Sequence, residues 1–427
     1  MSLTAAEYCD WILARIQHTV VVNLALSESY GLALAETLRA ELDLPLWDSS
    51  AMDGYALRIA DVASASTDSP VRLRVQGEVA AGDAADPDMT AGTAIRIMTG
   101  APVPSAADAV VPIEQTHRAT AGAATASVIP VSRESDAWDD QEIWVTAPIA
   151  SGANIRRRGE DIRQSDVIAH RGDSLNAARL SALAAVGIGE VSVYRAPRIA
   201  VLSTGSELRP AGTQLQRGEI PESNSVLLGG LLREAGLPAI TIAYAADSVE
   251  QLRDQIGVLA AEHDAIITTG GVGPGKYDVV RLALADEPGI RSARVKIRPG
   301  QPQCSGRHRA GAFLFCLPGN PVSAAVSFEL FVRPALRTMA GYQEIYRRKL
   351  LATAAVAWPG KSGSLQVLPV KISETDTGLS CVPAVPPRGA SHAVAQYGAS
   401  DGYALVEAER AEVRAGELVQ IIETGLR

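Results

Sequence analysis

The sequence predicts a multidomain chain in which an α/β domain is joined to two small β domains. Residues 194–345 alternate apolar β-type runs with amphipathic helices, which is the pattern of a doubly wound, mostly parallel sheet. Residues 45–147 and 346–427 instead contain short β-type runs separated by Gly, Pro, Asp and Ser turns. A chain of 427 residues is also too long for one ordinary hydrophobic core, so about two to four domains are expected.

Composition narrows the classes of function. An apolar fraction of 47% and a charged fraction of 20% fit a globular protein. No secretory signal and no long apolar run is evident, so a cytoplasmic location without a membrane partner is expected. A net charge of −9 without a long basic run argues against nucleic acid as a partner. The four cysteines and six histidines are scattered, which favours reduced thiols over a disulfide framework, a zinc site or a histidine-built metal centre.

The two segments that flank the first β region have similar composition. Residues 1–44 and 148–193 are therefore expected to pack together as one helical or mixed domain, with residues 45–147 inserted between them. The predicted helices of this part are Ala5–Thr19, Ser27–Leu42 and Leu175–Val186. The predicted strands of the insertion are Val71–Val75, Thr93–Met98, Ala109–Pro112, Ala126–Val131 and Glu142–Thr146, with an exposed turn at Thr120–Thr125.

Strands and helices alternate regularly in the α/β segment. Its predicted strands are Arg198–Ser203, Ala239–Tyr244, Ala265–Thr269, Ala293–Arg298 and Phe313–Leu317. Its predicted helices are Ser225–Ala235, Ser248–Glu262, Val279–Ala285 and Pro321–Met339. Open α/β sheets bind ligands just beyond the carboxyl ends of their strands, so the segments that follow these strands are the candidate functional segments.

The third strand of the α/β segment ends in a glycine-rich loop. Gly270, Gly271, Gly273 and Gly275 fall within six residues, shortly before Asp278. Glycines contribute no apolar surface, but they permit positive φ angles and close approach to a ligand. A strand, such a loop and a helix N-terminus together favour an anion site. A tight connection without a ligand is the alternative.

Carboxylates follow three of the predicted strands. Glu207 follows the first, Asp247 follows the second, and Asp278 closes the glycine-rich loop. Parallel strands end at one edge of a sheet, so these side chains should converge. Carboxylates repel an anion unless a divalent cation lies between them, and oxygen ligands favour Mg²⁺. The chemical inference is a phosphorylated or otherwise anionic substrate bridged by Mg²⁺.

Two of these features also have simpler explanations. Asp247, followed three residues later by a glutamate, fits a helix capping box. Asn320 before Pro321 fits a cap residue followed by proline in the first helical turn. Capping does not explain the flanking Gly319 and Ser323, because a close backbone approach, free N–H groups and a hydroxyl at a helix N-terminus suit an oxyanion.

Six motifs occur in order along nearly the whole chain. They are Asp48–Arg58 (DSSAMDGYALR), Arg96–Pro104 (RIMTGAPVP), Asn154–Ile162 (NIRRRGEDI), Ser203–Leu208 (STGSEL), Gly270–Asp278 (GGVGPGKYD) and Leu317–Ser323 (LPGNPVS). In these motifs the chain resembles the molybdopterin molybdenumtransferases, the MoeA proteins, which are similar to the E domain of gephyrin. Six long motifs in register are very specific.

The resemblance implies an elongated homodimer of four-domain chains, with a molybdopterin-binding α/β domain and a C-terminal β-barrel-like domain. The expected domains are residues 1–44 with 148–193, 45–147, 194–345 and 346–427. The implied reaction inserts molybdenum from molybdate into adenylylated molybdopterin, requires Mg²⁺ and releases AMP. Implied partners are a second copy of the chain, the adenylyltransferase of the preceding step and the maturation proteins of molybdoenzymes.

The resemblance also implies site residues, position by position. The functional positions fall on Asp53, Thr99, Glu207, Asp247 and Asp278, and the last three would hold the metal. The implied substrate-binding residues are Gly270, Gly271, Gly273, Gly275, Arg298, Pro318, Gly319, Asn320, Pro321, Ser323 and Ser391. Because the cleft of such proteins lies between subunits, Asp53 and Thr99 are expected to face the α/β domain of the partner chain.

The chain departs from the family pattern at positions tied to oxyanion binding. Gly273 stands where serine is usual, and Arg298 and Gln301 stand where the family has two lysines. Ser364, or a shifted Lys361, takes the place of an arginine. A lost charge-assisted hydrogen bond costs about 1–3 kcal/mol, so molybdate affinity is the property that these changes would reduce.

Three functions stay open on the sequence. The first is a molybdenum insertase. The second is a pterin-binding scaffold or assembly protein with impaired molybdate insertion, which the changes at Arg298, Gln301 and Ser364 favour and the intact carboxylates oppose. The third is the preceding adenylyltransferase step, which shares the α/β domain. The two β domains and the AMDGY and MTGAP motifs argue against that third function.

Overall fold

The structure is a computed structural model that describes residues 2–119, 128–130, 141–245, 248–271, 278–388 and 390–424. These residues form two compact units. The larger unit comprises Met1–Thr37, His170–Ala177 and Glu190–Arg427, and the smaller unit comprises Leu38–Ala169 and Ala178–Gly189. No helix in the described part of the chain is both long enough and apolar enough to cross a membrane.

The strands and helices are numbered in chain order. The strands of the first part are β1 (Ser2–Leu3), β2 (Val21–Ala25), β3 (Leu38–Arg39), β4 (Ser49–Ser50), β5 (Gly54–Leu57), β6 (Val71–Val79), β7 (Thr93–Ile97), β8 (Ala109–Pro112), β9 (Thr116–Ala119), β10 (Val128–Pro130), β11 (Glu142–Val145), β12 (Ile155–Arg156), β13 (Val167–Ala169) and β14 (Glu190–Tyr194). The later strands are β15 (Ile199–Thr204), β16 (Leu208–Arg209), β17 (Ile220–Pro221), β18 (Ile240–Ala245), β19 (Ala265–Thr269), β20 (Ile290–Val295), β21 (Ile297–Arg298), β22 (Pro302–Arg307), β23 (Phe313–Leu317), β24 (Lys349–Ala354), β25 (Trp358–Pro359), β26 (Leu365–Thr375), β27 (Gly378–Pro383), β28 (Gly402–Val406), β29 (Glu412–Val413) and β30 (Leu418–Glu423). The helices are α1 (Ala5–Leu13), α2 (Ala177–Ala185), α3 (Asn224–Glu234), α4 (Val249–Glu262), α5 (Val279–Ala283), α6 (Pro321–Ser327), α7 (Arg333–Met339) and α8 (Val394–Tyr397).

The larger unit is built on a seven-stranded sheet with the order β1-β20-β22-β23-β19-β15-β18. Strands β18, β15, β19 and β23 are parallel to one another, and β22 is antiparallel to both β23 and β20. Every residue of β15, β19 and β23 is buried, as expected for strands that are covered on both faces. The carboxyl ends of the four parallel strands therefore meet at one edge of the sheet.

The predicted α/β elements are confirmed, with one difference at the fourth strand. The predicted strand Ala293–Arg298 is a hairpin in which β20 ends at Val295 and β22 returns antiparallel to it. The sequence of β22, PQCSGR, contains no β-branched or aromatic residue. Its strand conformation comes from pairing with β20 and β23 on either side, which intrinsic propensity does not reveal.

Two helix predictions near the start of the chain are wrong in whole or in part. No α-helix forms over Ser27–Leu42, although a short 3₁₀ turn spans Leu26–Glu28, because Gly31 adopts a φ of +79° and Leu34 forms a β-bridge to β14. The predicted helix Ala5–Thr19 ends at Leu13, and β2 pairs along its whole length with β14. Pairing with a segment far along the chain outweighs local helix propensity at both places.

The predicted C-terminal β domain is confirmed as a closed barrel. Strands β26, β27, β24, β30 and β28 follow one another, and β28 pairs back onto β26. Strand β21, which belongs to the β20–β22 connection of the central sheet, adds parallel to the start of β26. Arg298 pairs with Gln366 in that register, so the turn after β20 is fixed to the barrel.

The smaller unit contains a seven-stranded sheet with the order β10-β9-β11-β6-β7-β5-β8. Strands β5 and β7 are antiparallel, with Gly54 opposite Ile97. This pairing brings the residues that precede β5 beside those that follow β7. The predicted turn Thr120–Thr125 and parts of the predicted strand Ala126–Val131 lie outside the described residues.

The start of β19 is anchored by a half-buried ion pair. Arg195 donates two hydrogen bonds to the Asp264 carboxylate, from Nη1 at 3.0 Å and from Nη2 at 2.8 Å. The N–H of Arg198, just before β15, donates a third at 2.7 Å. Burial raises the pKa of Asp264, but the hydrogen bonds from Arg195 and Arg198 bring that pKa below its ordinary value. Asp264 thus ties the starts of the two central strands together.

Replacing the anchoring carboxylate is expected to weaken the larger unit in a pH-dependent way. Asp264→Asn should lower the free energy of unfolding near neutral pH by about 1.5–3 kcal/mol, the value of charge-assisted hydrogen bonds. Because the folded-state pKa is depressed, this stabilisation is complete above the unfolded-state pKa of about 3.9 and is lost as pH falls through the folded-state pKa. Thermal unfolding at pH 7 and at about pH 3 checks this. An equal difference at both pH values would contradict it.

Candidate functional site

The ends of three central strands approach one another too closely for side chains. Gly270, which follows β19, has a φ of +93°, and a Cβ there would lie 2.9 Å from the carbonyl oxygen of Thr204. A Cβ on Gly319, which follows β23, would lie 3.3 Å from the Cα of Gly270. The loops after β15, β19 and β23 therefore pack backbone against backbone at this edge of the sheet. Close packing accounts for part of the glycine richness that the sequence suggested was for a ligand.

Two of the three predicted carboxylates lie on these loops. Glu207 folds back over Gly205, where a Cβ would lie 2.7 Å from its Oε2. Asp278 lies immediately before α5, on the loop after β19. Of the predicted site residues, Asp247, Gly273 and Gly275 lie outside the described part of the chain. Within the described residues no group of three or more His, Cys, Asp or Glu side chains is placed to hold a metal, so the triad of Glu207, Asp247 and Asp278 stays a prediction.

The structure bears on both helix-cap explanations offered by the sequence. The cap of α4 is Ser248, whose Oγ accepts a hydrogen bond from the N–H of Gln251 at 3.4 Å, whereas Asp247 lies outside the described residues. Asn320 occupies the cap position of α6 but makes no side-chain cap hydrogen bond. Its Nδ2 donates instead to Ser391 Oγ at 3.2 Å, which links the loop before α6 to the barrel.

The loop before α6 is held from a second side by a residue that sequence reasoning missed. Asn224, the first residue of α3, donates from Nδ2 to the carbonyl oxygen of Gly319 at 2.8 Å. Pro321 stands in the first turn of α6, as predicted. Only the tertiary contact distinguishes Asn224 from an ordinary helix-start residue, so no sequence signal would have found it.

The turn after β20 is fixed against α6 by buried polar contacts. Gly300 has a φ of +92°, and a Cβ there would lie 2.9 Å from Ser327 Oγ. Gln303 donates from Nε2 to the carbonyl oxygen of Gly300 at 2.6 Å and to Ser327 Oγ at 2.7 Å. Arg298, at the start of this turn, is therefore presented from a rigid backbone.

A cavity of about 870 Å³ lies between this turn, the loop before α6 and the barrel. Its lining brings together five of the predicted substrate-binding residues, namely Arg298, Pro318, Asn320, Ser323 and Ser391. Ser323 is only 3% exposed. Segments more than 90 residues apart in sequence thus line one open cavity, where the family resemblance implied an oxyanion site.

The charged side chains that line this cavity are all positive. Arg298, Lys361 and Arg388 line it, and among the described residues no carboxylate lines it. No carboxylate of the described chain forms an ion pair with any of these three cations. Of the two residues between which the sequence left a choice, Lys361 lines the cavity, whereas Ser364 is buried and does not line it. Sequence reasoning missed Arg388, whose only signal was a basic residue in a Pro-rich and Gly-rich turn.

A second cavity, of about 470 Å³, lies at the ends of β15 and β18. It is lined by Ser203, Gly205, Ser206, Leu208, Arg209, Pro210, Glu222, Tyr244 and Ala245. Tyr244 is 60% exposed, although it lines a concave surface. Neither Glu222 nor Tyr244 was singled out from the sequence.

In the smaller unit, the predicted pair Asp53 and Thr99 is in direct contact. Both the N–H and the Oγ1 of Thr99 donate to Asp53 Oδ1, each at 2.8 Å. The N–H of Gly100 donates to the carbonyl oxygen of Ser50 at 2.8 Å, which holds the two loops together. The antiparallel register of β5 and β7 therefore places the AMDGY and MTGAP motifs side by side.

The basic NIRRRGEDI motif is accounted for by ion pairs within the smaller unit. Arg157 Nη1 lies 2.6 Å from Asp48 Oδ2, and Arg158 Nε lies 2.6 Å from Asp43 Oδ2. The hydrogen bond from the N–H of Arg158 and the side chain of Arg157 lower the pKa of Asp48, although partial burial of the carboxylate opposes them. The motif thus connects two loops, and its charge is compensated locally.

Comparison with protein families finds matches along the chain. The model of the MoeA N-terminal region (domain I and II) matches residues 3–187. The model of a probable molybdopterin binding domain matches residues 200–338, and that of the MoeA C-terminal region (domain IV) matches residues 352–424. The three matches follow one another in the order of the chain.

Individual proteins are similar over nearly the full length. A Mycobacterium tuberculosis (strain ATCC 25618 / H37Rv) protein named molybdopterin molybdenumtransferase 2 is 36% identical over 409 residues, which are 94% of each chain. A molybdopterin molybdenumtransferase of Staphylococcus epidermidis (strain ATCC 12228 / FDA PCI 1200) is 29% identical over 411 residues, covering 96% of this chain and 93% of that protein. A crystal structure of the molybdopterin biosynthesis MoeA protein of Pyrococcus horikoshii OT3 has a TM-score of 0.80 and 26% identity, covering 99% of this chain and 100% of that one.

The close backbone packing at the strand ends predicts that two glycine substitutions lower the free energy of unfolding by different amounts. Gly270→Ala combines left-handed strain with a clash against Thr204, whereas Gly212→Ala meets a similar φ of +87° with nothing within 4 Å. Gly212→Ala should cost about 1–2 kcal/mol of unfolding free energy. Gly270→Ala should cost clearly more, as measured by urea unfolding of both variants. Equal costs would contradict the close approach of the strand ends.

Proposed function

This chain belongs to the MoeA family of molybdopterin molybdenumtransferases, and we propose that it inserts molybdenum from molybdate into adenylylated molybdopterin and releases AMP. The observation that carries this proposal is the cavity of about 870 Å³, which is lined by three cations that form no ion pair within the described residues. A doubly charged tetrahedral oxyanion is the kind of ligand that such a cavity favours.

Molybdate, as a substrate, would be held by groups from three directions. Arg298 comes from the sheet turn, and Lys361 and Arg388 come from the barrel. The hydroxyl groups of Ser323 and Ser391 line the same space and can donate to oxyanion oxygens. Because Asn320 donates to Ser391 Oγ, the loop before α6 and the barrel are positioned together. These residues bind and orient the oxyanion for reaction with the pterin dithiolene.

We propose that the two described carboxylates contribute to a magnesium site. Mg²⁺ is usually held by one or two carboxylates together with substrate phosphates and water. Glu207 and Asp278 lie on the loops after the neighbouring strands β15 and β19, and we propose Asp247 as the third ligand. When bound, Mg²⁺ would neutralise charge on the pyrophosphate bond that is hydrolysed. We propose that the phosphates approach the backbone after β19, where Gly270 and Gly271 have φ angles of +93° and +65°.

We also propose that the chain works as a homodimer in which Asp53 and Thr99 of one copy face the sheet edge of the other. The family resemblance supports this arrangement. The hydrogen bonds from Thr99 to Asp53 fix the carboxylate in one orientation, as expected for a residue that acts on a ligand.

The scaffold alternative loses most of its support. It relied on missing cations in the oxyanion site, and Gln301 is indeed a neutral residue of the cavity. Lys361 and Arg388 nevertheless line the same cavity. Its positive charge therefore favours an oxyanion even though the family's second lysine and its arginine are replaced. Retained molybdate binding and insertion is therefore the function that we propose.

Removing either described carboxylate should stop the reaction. Glu207→Ala and Asp278→Ala are expected to lower molybdate-dependent AMP release from adenylylated molybdopterin by at least about 100-fold, because the phosphates lose charge compensation. Glu374→Ala, which removes an exposed carboxylate of the barrel, is the matched control and should keep wild-type turnover. Unchanged AMP release in the Glu207 and Asp278 variants would remove both residues from the mechanism.

Mixing two inactive variants tests the shared site within the same assay. Asp53→Ala and Glu207→Ala should each be inactive alone. Refolded or co-expressed mixtures should regain about a quarter of wild-type activity, because half of the dimers are mixed and each mixed dimer has one intact site. No recovery from mixed dimers would place Asp53 and Glu207 outside a shared intersubunit site.

Arg388 and Lys361, the two barrel cations of the cavity, should contribute to its affinity for molybdate. Arg388→Ala and Lys361→Ala are each expected to weaken molybdate binding about tenfold or more, the equivalent of one charge-assisted hydrogen bond. Titration calorimetry measures this, and Lys371→Ala, which removes an exposed barrel lysine outside the cavity, is the control. Unchanged affinity in both cavity variants would revive the scaffold alternative.

A further inference from the structure

Two of the four cysteines face each other across neighbouring strands of the central sheet. Cys304 of β22 and Cys316 of β23 are directly opposite in the antiparallel register, and both are free thiols. Directly opposed residues of such strands have Cα atoms about 4.5–5.5 Å apart, which lies within the range of about 4.4–6.8 Å that a disulfide spans. The strand register therefore holds the two thiols at a spacing that is compatible with a bond between them.

The two thiols belong to a row of polar side chains that crosses one face of the sheet. Thr268 of β19 is opposite Cys316, and Ser292 of β20 is opposite Cys304. Both cysteines otherwise pack in an apolar cluster with residues such as Leu202. Structural packing alone would be served by aliphatic side chains in this cluster, so the paired thiols are a feature that needs a chemical explanation.

The two thiols differ in acidity. The hydrogen bond from Cys316 lowers the pKa of Cys304, burial opposes this effect, and a hydrogen bond with Ser292 adds to the lowering. The hydrogen bond to Cys304 and burial raise the pKa of Cys316. Burial also raises the pKa of Cys9, and it raises that of Cys381 to about 11. Because the thiolate is the nucleophilic form of cysteine, Cys304 is the reactive member of the pair.

Cys304 lies one strand away from the surface. Ser292, its neighbour on β20, is exposed. The strand beyond β20 is β1, which is two residues long and pairs with Arg294 and Val295, so it does not extend alongside Ser292. Cys304 is 4% exposed, whereas Cys316 is fully buried. A small neutral molecule therefore reaches Cys304 first, from the side of Ser292.

We propose that Cys304 and Cys316 are a redox modification site that forms a reversible disulfide when the protein meets hydrogen peroxide. The Cys304 thiolate attacks one peroxide oxygen, the O–O bond breaks as an S–O bond forms, and the other oxygen leaves as water after taking up a proton. Cys316 then attacks the sulfur of this sulfenic acid, and the S–S bond forms as a second water leaves. Two thiols thus lose two electrons and two protons in total, and the peroxide is reduced to two waters.

The pairing protects the strands that carry the larger cavity. Pro302, two residues before Cys304, and Pro318, two residues after Cys316, both line the cavity of about 870 Å³. Without a partner thiol, the sulfenic acid of Cys304 would advance to a sulfinic acid, which is irreversible and places a charge in a buried sheet. A disulfide stops this oxidation at a stage that a thiol reductant can reverse.

Intact mass spectrometry after brief exposure of the full-length protein to hydrogen peroxide tests this proposal. The variant Cys9→Ala/Cys381→Ala retains only the pair and should become two hydrogen atoms lighter, and dithiothreitol should reverse the change. The matched variant adds Cys316→Ser, which keeps a hydrogen-bond donor beside Cys304 but cannot form the disulfide. It should become two oxygen atoms heavier, and dithiothreitol should not reverse that change.

Two further measurements test the roles of the two thiols. Cys304→Ser in the same background should react with hydrogen peroxide about tenfold more slowly than Cys316→Ser does, because the remaining thiol is fully buried and has a raised pKa. The wild type, which needs no substitution in order to be tested, should yield a linked Cys304–Cys316 peptide after oxidation and proteolysis.

Three outcomes would overturn the proposal. They are a pair-only protein that gains oxygen atoms or keeps its starting mass, equal reaction rates in the two serine variants, and a wild-type disulfide that involves Cys9 or Cys381. None of these measurements uses molybdate or adenylylated molybdopterin, so their results are independent of the proposed function.

Discussion

The close approach of the strand ends at Thr204, Gly270 and Gly319 is the constraint on which the rest of the site depends. Because β15, β19 and β23 are parallel and fully buried, their loops leave the sheet at one edge and must pass one another without side chains. The result is a strip of backbone that a large ligand can cross. The Asp264 ion pair supports this arrangement from the opposite end of β15 and β19.

The two ends of that strip differ in electrostatics. Around the turn after β20 and the barrel, Arg298, Lys361 and Arg388 form no ion pair within the described chain, whereas Glu222 and Arg209, which line the cavity at the ends of β15 and β18, have protein partners. An anion therefore gains most at the first end.

Much of this architecture was predictable from the sequence, because buried parallel strands and amphipathic helices leave strong periodic signals. The segment over Ser27–Leu42 was misassigned because its structure depends on pairing with residues far along the chain, and β22 was missed for the same reason. Arg298, Ser323 and Ser391 were predicted for the oxyanion site and share a cavity. Arg388 and Gln303 were not, since their roles arise only when the barrel and α6 close around the β20–β22 turn.

A crystal structure of the protein soaked with AMP and tungstate, a heavier analogue of molybdate, tests the central claim most directly. If this cavity binds the oxyanion, an anomalous tungsten peak is expected among Arg298, Ser323 and Ser391. The same structure should place the phosphate of AMP beside Gly270. A tungsten peak away from the three cations, or an AMP phosphate inside the cavity that those cations line, would contradict the assignment of that cavity to the oxyanion.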